Sequence, residues 1–209
     1  MGYINQNKLV EVTAKDLISE YIGQTSGKTF NVVKSALGGV LFIDEAYSIT
    51  FSNGTTGANF GEECIATLLK LMEDYKDKLI VIFAGYKDEM NKFLDTNPGL
   101  TSRIGYKVQF EDFTIDELTQ IFVNLLHNNK LEITDEGLKE AQRIIKISAG
   151  IKDFGNARYI NQMFQRVLIE HSKNIEYNNG KKNLYIIDKE DIKVENLLAD
   201  SNRRKIGFG

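Results

Sequence analysis

Two adjacent carboxylates, Asp44 and Glu45, close the apolar run Gly39-Val-Leu-Phe-Ile43. A hydrophobic strand ending in paired acids puts charge at the carboxyl end of a parallel sheet, where open α/β folds bind their ligands. In phosphoanhydride hydrolysis, one carboxylate holds the water shell of a magnesium ion. A second orients and deprotonates the attacking water, so Asp44 followed by Glu45 supplies both in the right order. Ordinary strands also end in acidic turns, and the dipeptide alone does not separate the two readings.

Three further sets of residues could do chemistry. Arg103 follows Asn97-Pro-Gly-Leu100, a turn signal, and Arg158 follows Gly155-Asn156-Ala157 at the start of a helix-periodic segment. Either is a solvated surface arginine or a stabiliser of phosphate charge. Tyr21-Ile22-Gly23 joins an aromatic, an aliphatic and a glycine; it is either the end of a packed helix or a mobile apolar tip. The segment Gly23-Gln-Thr-Ser-Gly27-Lys28-Thr29 imitates a phosphate-binding loop. That loop needs four residues between its first glycine and the Gly-Lys pair and must leave a buried strand. Here only Gln24, Thr25 and Ser26 intervene, and Asp16–Ile22 before them is amphipathic, so the reading is declined.

The elements that must position these groups change character along the chain. Up to about Phe113, strand-length apolar runs alternate with helix-periodic segments, which argues for a parallel sheet covered by helices. Strands are expected at Leu9–Val12, Val40–Ile43, Leu79–Ala84 and Val108–Phe110. Helices are expected over Leu17–Tyr21 after a Thr13–Asp16 capping box, from about Lys28 to a stop at Gly38-Gly39, through Ile65–Met72, and over Lys87–Leu94. A polar loop fills Ser48–Asn59. Beyond Thr114 the pattern is helical, with caps at Thr114, Thr134 and Asn156, a turn at Asn178-Asn-Gly180, an extended piece at Leu184–Ile187 and a last short helix capped by Asp188.

Composition narrows the classes. The 209 residues carry 26 basic and 29 acidic side chains, a formal charge of −3, which gives no global footprint for nucleic acid. One cysteine, Cys64, excludes an intrachain disulfide and a cysteine-rich metal site, and points to a reducing compartment. No run approaches the roughly 20 apolar residues of a membrane helix, and the start has no signal-peptide layout; the expectation is a cytoplasmic protein without membrane insertion. Pro98 is the only proline, where average usage predicts about ten. Its fixed φ and the glycine after it are expected to set a tight turn that aims Arg103 outward.

Four segments, GGVLFIDEAYSI, IVIFAGYKDEM, NPGLTSRI and GNARYINQMFQRVLIEH, occur in this order. Together they resemble the CbxX/CfxQ-type AAA+ ATPases, a group that includes red-type Rubisco activases, stage V sporulation protein K and type VII secretion ATPases. The resemblance runs from about Leu9 to Leu198. It implies a partial AAA+ core of the P-loop NTPase class, α/β with a parallel sheet, over 1–112, an all-helical lid over 113–198, and a flexible tail over 199–209. It further implies an ATP-hydrolysing motor with ATP and Mg²⁺, a homo-oligomeric, hexameric ring, and a polypeptide client.

At matching positions the resemblance makes Asp44 and Glu45 the Walker B pair, Asp44 for Mg²⁺ through water and Glu45 as the base. Arg103 matches the arginine finger that serves a neighbouring subunit; related sequences often carry a second arginine where this one has Thr101. Arg158 matches sensor 2, which contacts the γ-phosphate, and Tyr21-Ile22-Gly23 matches the pore loop that grips threaded polypeptide. Sensor 1 falls near Tyr86 or Lys87 and is assigned to neither. The Walker A loop has no counterpart in the sequence. Either the chain is a piece of a longer ATPase and inactive alone, or it is a catalytically degenerate AAA+-shaped scaffold; the four charged groups favour the first. A DNA-associated clamp loader or helicase is disfavoured by the net charge and the Tyr-Ile-Gly loop.

Overall fold

The computed structural model describes residues 6–50, 60–151, 154–177 and 183–193. Its contacts divide the chain into two units, Met1–Gln109 and Phe110–Gly209. The Asn178-Asn-Gly180 turn, most of the Ser48–Asn59 loop and the 199–209 tail lie outside the described residues.

The first unit is built on three parallel strands, β1 (Leu9–Val12), β2 (Val40–Ile43) and β3 (Ile80–Phe83), in the order β1-β2-β3. Leu9, Val40 and Ile80 stand in one row of the register, and Val12, Ile43 and Phe83 in another. Because side chains alternate along a strand, Val12, Leu41 and Ile43 face the core, and Val10, Val81 and Phe83 pack against it. Leu9, Glu11, Val40, Phe42, Ile80 and Ile82 share the opposite face, where Leu9 is 64% and Ile82 42% exposed.

The core face is covered by α1 (Ala14–Leu17), α2 (Thr25–Ser35), α3 (Phe60–Asp74), α4 (Lys87–Asp95) and α5 (Pro98–Arg103). These contribute the buried Leu17, Val33, Leu68, Phe93 and Leu100, and Cys64 packs among them. Removing such a fully enclosed leucine costs about 2–5 kcal/mol.

Four local expectations need correction. The helix expected over Leu17–Tyr21 ends at Leu17, where Ile18 turns extended at φ −96° and ψ 137°. The next helix starts at Thr25 rather than near Lys28. Ala46–Ile49 is one 3₁₀ turn at the start of the expected loop. No strand forms at Val108–Phe110: the run is outside regular structure, with Val108 77% and Phe110 91% exposed, and no strand pairs with it. A strand needs a partner edge as well as alternation.

The second unit holds α6 (Ile115–Asn128), α7 (Asp135–Ala149) and α8 (Asn156–Tyr177). Thr114 accepts the Glu117 N–H and Glu117 returns a carboxylate to the Thr114 N–H, a complete capping box. Thr134 accepts the Gly137 N–H at 3.1 Å. Leu118, Phe122 and Leu126 form one stripe on α6 and pack with Ile144, Ile145, Met163 and Phe164. Helices thus make up this unit, joined by a parallel pair of two-residue strands, β4 (Glu132–Ile133) and β5 (Ile186–Ile187). Asp188 caps the 3₁₀ turn Lys189–Asp191 that follows. Among the described residues no helix is long and apolar enough to cross a membrane.

Candidate functional site

Asp44 and Glu45 follow the last residue of the central strand. The Asp44 N–H donates to the Val12 carbonyl at 2.8 Å, the Ala84 N–H to Ile43 at 2.9 Å and the Ala46 N–H to Ala84 at 3.0 Å. These bonds stitch the ends of all three strands together around the acidic pair. Asp44 Oδ1 accepts the Glu45 N–H at 3.0 Å, and both carboxylates are exposed.

Glu45 has φ 47° and ψ 44°. A left-handed non-glycine residue costs roughly 1–2 kcal/mol, and such strain concentrates at sites where geometry serves function.

The donor set fits a magnesium ion that arrives with phosphates. Such ions take one or two carboxylates and keep several waters, and no group of three or more His, Cys, Asp or Glu able to cage a metal is found among the described residues.

Two tyrosines border the pair. The rings of Tyr47 and Tyr86 lie 6.4 Å apart. Burial, then the charge of Glu45, pushes the Tyr47 phenol above its ordinary range. Gly85 lies against this ring: a Cβ there would meet Tyr47 Cδ1 at 2.8 Å and Met90 Sδ at 2.9 Å. Tyr86 caps α4 and Lys87 begins it. A cleft of about 490 Å³ opens beside Tyr47, lined also by Glu62, Ile65, Glu89 and Phe93. Sequence reasoning missed Tyr47; its one legible signal was its place two residues after Glu45.

Arg103 is the last residue of α5 and exposed. Pro98 does not make the expected tight turn; it opens this helix at its first position, where a missing N–H is harmless. Leu100 is fully buried. The Thr101 hydroxyl donates to the Leu94 carbonyl at 3.0 Å and so anchors α5 to α4. Arg103 Nη1 donates to the Gly99 carbonyl at 3.3 Å.

Tyr21 and Ile22 are 67% and 70% exposed, in the turn between α1 and α2. That removes the reading of Tyr21 as a packed helix residue. Gly23 has φ +75°, a conformation that favours glycine, with open space around it.

Arg158 belongs to the second unit, exposed in the first turn of α8. Its N–H donates to the Gly155 carbonyl at 3.0 Å. The start of that helix is fixed by Asn156, at φ 48°. Its Nδ2 donates to Asp112 Oδ1 at 2.7 Å and its Oδ1 accepts the Phe113 N–H at 3.1 Å. The structure therefore brings Asp44 and Glu45 together at one strand end, and places Tyr21, Arg103 and Arg158 on three separate elements.

Known proteins share this layout. Residues 2–112 match the family described as ATPase family associated with various cellular activities (AAA), and residues 114–202 match the AAA lid domain. A "Protein CfxQ homolog" of Galdieria sulphuraria is 40% identical over 204 residues, covering 96% of this chain and 66% of the relative. The "Ribulose bisphosphate carboxylase/oxygenase activase, chloroplastic" of Cyanidioschyzon merolae is 39% identical over 198 residues, covering 95% and 67%. "Protein CbxX, plasmid" of Cupriavidus necator is 38% identical over 175 residues, covering 84% and 55%. The chain thus spans about two thirds or less of the length of these relatives. Among solved structures, a mutant of Thermotoga maritima RuvB superposes with a TM-score of 0.62 at 18% identity, over 93% of this chain and 54% of that one. The FIGL-1 AAA domain in complex with ADP superposes with a TM-score of 0.58 at 17% identity, over 93% and 68%. These two share the fold.

Proposed function

The chain belongs to the AAA ATPase family, within its CbxX/CfxQ group, and from that premise we propose that it is part of an ATP-hydrolysing motor that remodels a polypeptide client. The observation that carries this reading is the Asp44–Glu45 pair at the end of the central strand, with Glu45 held in a left-handed backbone.

In the proposed reaction Glu45 takes the proton of the attacking water, and Asp44 would hold a magnesium ion through its water shell. Mg²⁺ supplies neutralisation of phosphate charge when bound with ATP. Arg103 reaches the nucleotide of a neighbouring copy in a homo-oligomeric ring, proposed to be a hexamer, and Arg158 contacts the γ-phosphate from the lid. Tyr21-Ile22-Gly23 supplies a sequence-tolerant apolar grip on polypeptide, supported by the exposure of both large side chains. A protein client is supported by the activase name of one relative.

No Gly-x₄-Gly-Lys-Ser/Thr phosphate loop occurs in the sequence. Backbone cradling by that loop is a large part of nucleotide affinity, so the 209-residue chain alone is proposed to bind ATP weakly. The test is Glu45→Gln in the protein extended to the length of its CfxQ relatives. ATP stays bound while hydrolysis falls at least a hundredfold; retained turnover would remove Glu45 from the role of base. Mixing Arg103→Ala copies with wild type then separates a finger acting on neighbours, which poisons turnover, from one acting at home, which only dilutes it.

A further inference from the structure

The Gly23–Thr29 segment imitates a phosphate loop and is not one, which leaves its lysine without an assigned task. We propose that Lys28 is a positioning residue: its ammonium clamps the last turn of α1 and thereby fixes the base of the Tyr21-Ile22-Gly23 loop.

A helix leaves its final carbonyls without partners, and a four-residue helix has almost no internal bonding to spare. Around the end of α1, three carbonyls, those of Lys15, Leu17 and Ile18, are taken by side chains of α2. Lys28 Nζ donates to the Lys15 carbonyl at 2.5 Å and to the Ile18 carbonyl at 2.8 Å. The Thr29 hydroxyl, fully buried, donates to the Leu17 carbonyl at 3.0 Å. Thr25, also fully buried, accepts the Ser19 N–H at 3.2 Å.

Residues 25, 28 and 29 fall on one face of a helix, so the first turns of α2 form a socket for residues 15–19. The socket is anchored in turn, because the Ser26 N–H donates to Glu63 of α3 at 3.0 Å. Of its three side chains, only Lys28 reaches both sides of the point where α1 ends and the loop begins. The ammonium also lowers the Asp16 carboxyl, after the larger effect of the Thr13 N–H and hydroxyl that Asp16 accepts. One cation thus bears on both ends of α1. The other end of α1 follows Val12, whose carbonyl receives the Asp44 N–H, so the clamped element lies between the acidic pair and the aromatic tip.

Lys28 deepens the gripping reading of the loop and rests on it, and the test has one arm for each. In the first arm, amide hydrogen exchange is followed in the 209-residue chain as wild type, Lys28→Met and Lys28→Arg. The expected result is that Ser19 and Gln24 exchange at least tenfold faster in Lys28→Met, that β2 amides keep their wild-type rates, and that Lys28→Arg returns the loop to within threefold of wild type. Unchanged loop exchange in Lys28→Met overturns the proposal. So does an acceleration shared equally by β2, because that marks general destabilisation.

In the second arm, binding of fluorescein-labelled casein, an unstructured polypeptide, is measured by anisotropy for wild type, Lys28→Met and Tyr21→Ala. Both variants are expected to bind at least fivefold more weakly. Casein binding unaffected by Tyr21→Ala removes the gripping reading, while the exchange result decides Lys28 independently.

Discussion

Ser48 donates twice to the carbonyl of Glu45, through its N–H at 2.8 Å and its hydroxyl at 2.7 Å. A serine three residues downstream thus closes the turn that keeps Glu45 in a backbone region it would not choose. The strain is local, and substitution can expose it.

Replacing Glu45 by Gly and by Ala isolates that strain. Neither side chain carries a base, but only glycine adopts the left-handed region without penalty. Glu45→Gly should be more stable than Glu45→Ala by about 1 kcal/mol, after allowing for the entropy that glycine adds to the unfolded chain. Urea denaturation of the two variants checks this, and equal midpoints would show that the turn relaxes.

Gly85→Ala should destabilise the first unit by about 1–3 kcal/mol through overpacking. The added methyl would stand 2.8 Å from the Tyr47 ring. Combining it with Tyr47→Ala should cost clearly less than the two single changes together, as measured by thermal melts of all three variants.

Tyr21→Ala should move stability by no more than about 0.5 kcal/mol, as expected of an exposed site, whereas Leu17→Ala, four positions earlier and fully buried, should cost about 2–5 kcal/mol. A comparable loss for both in chemical denaturation would mean that Tyr21 is packed.

Acid should act on the second unit through Glu170. Hydrogen bonds from Lys173 at 2.7 Å and Lys193 at 2.8 Å hold its carboxyl below the ordinary glutamate range. A carboxyl lowered in the folded state contributes stability that is present above the unfolded value of about 4.3. The contribution is lost as pH falls through the lower folded value. Glu170→Gln should therefore flatten the stability profile below about pH 5 and leave the slope above it unchanged, in denaturant titrations between pH 3 and 7.

What the sequence made legible follows from where each signal is stored. Val40–Ile43 and Ile80–Phe83 are apolar at every position, and such runs read as strands of a parallel sheet, although Ile80 and Ile82 of the second stay exposed. Thr114 and Thr134 announce helix starts because a cap is a local bond. Asp44 and Glu45 could be placed because they border such a strand.

The end of α1 was not legible. Ile18 is neither glycine nor proline, and the carbonyls there are satisfied by Lys28 and Thr29, ten or more residues away along the chain. Val108–Phe110 has the alternation of a strand, but pairing is a property of two segments. Pro98 is compatible with both a turn and a helix start; the buried Leu100 and the Thr101–Leu94 bond favour the helix. Tyr47 gained its place from Gly85 and Tyr86, contacts that periodicity does not encode.

The face of the sheet opposite the core has one further consequence. Leu9, Val40, Phe42, Ile80 and Ile82 form an apolar surface there, interrupted by a single charge, Glu11, on the edge strand β1. In the language of aggregation, Glu11 is a gatekeeper: a carboxylate among greasy neighbours that makes sticking to a second such surface costly. The guard on that face is therefore one side chain, a local device that the net charge of −3 does not describe.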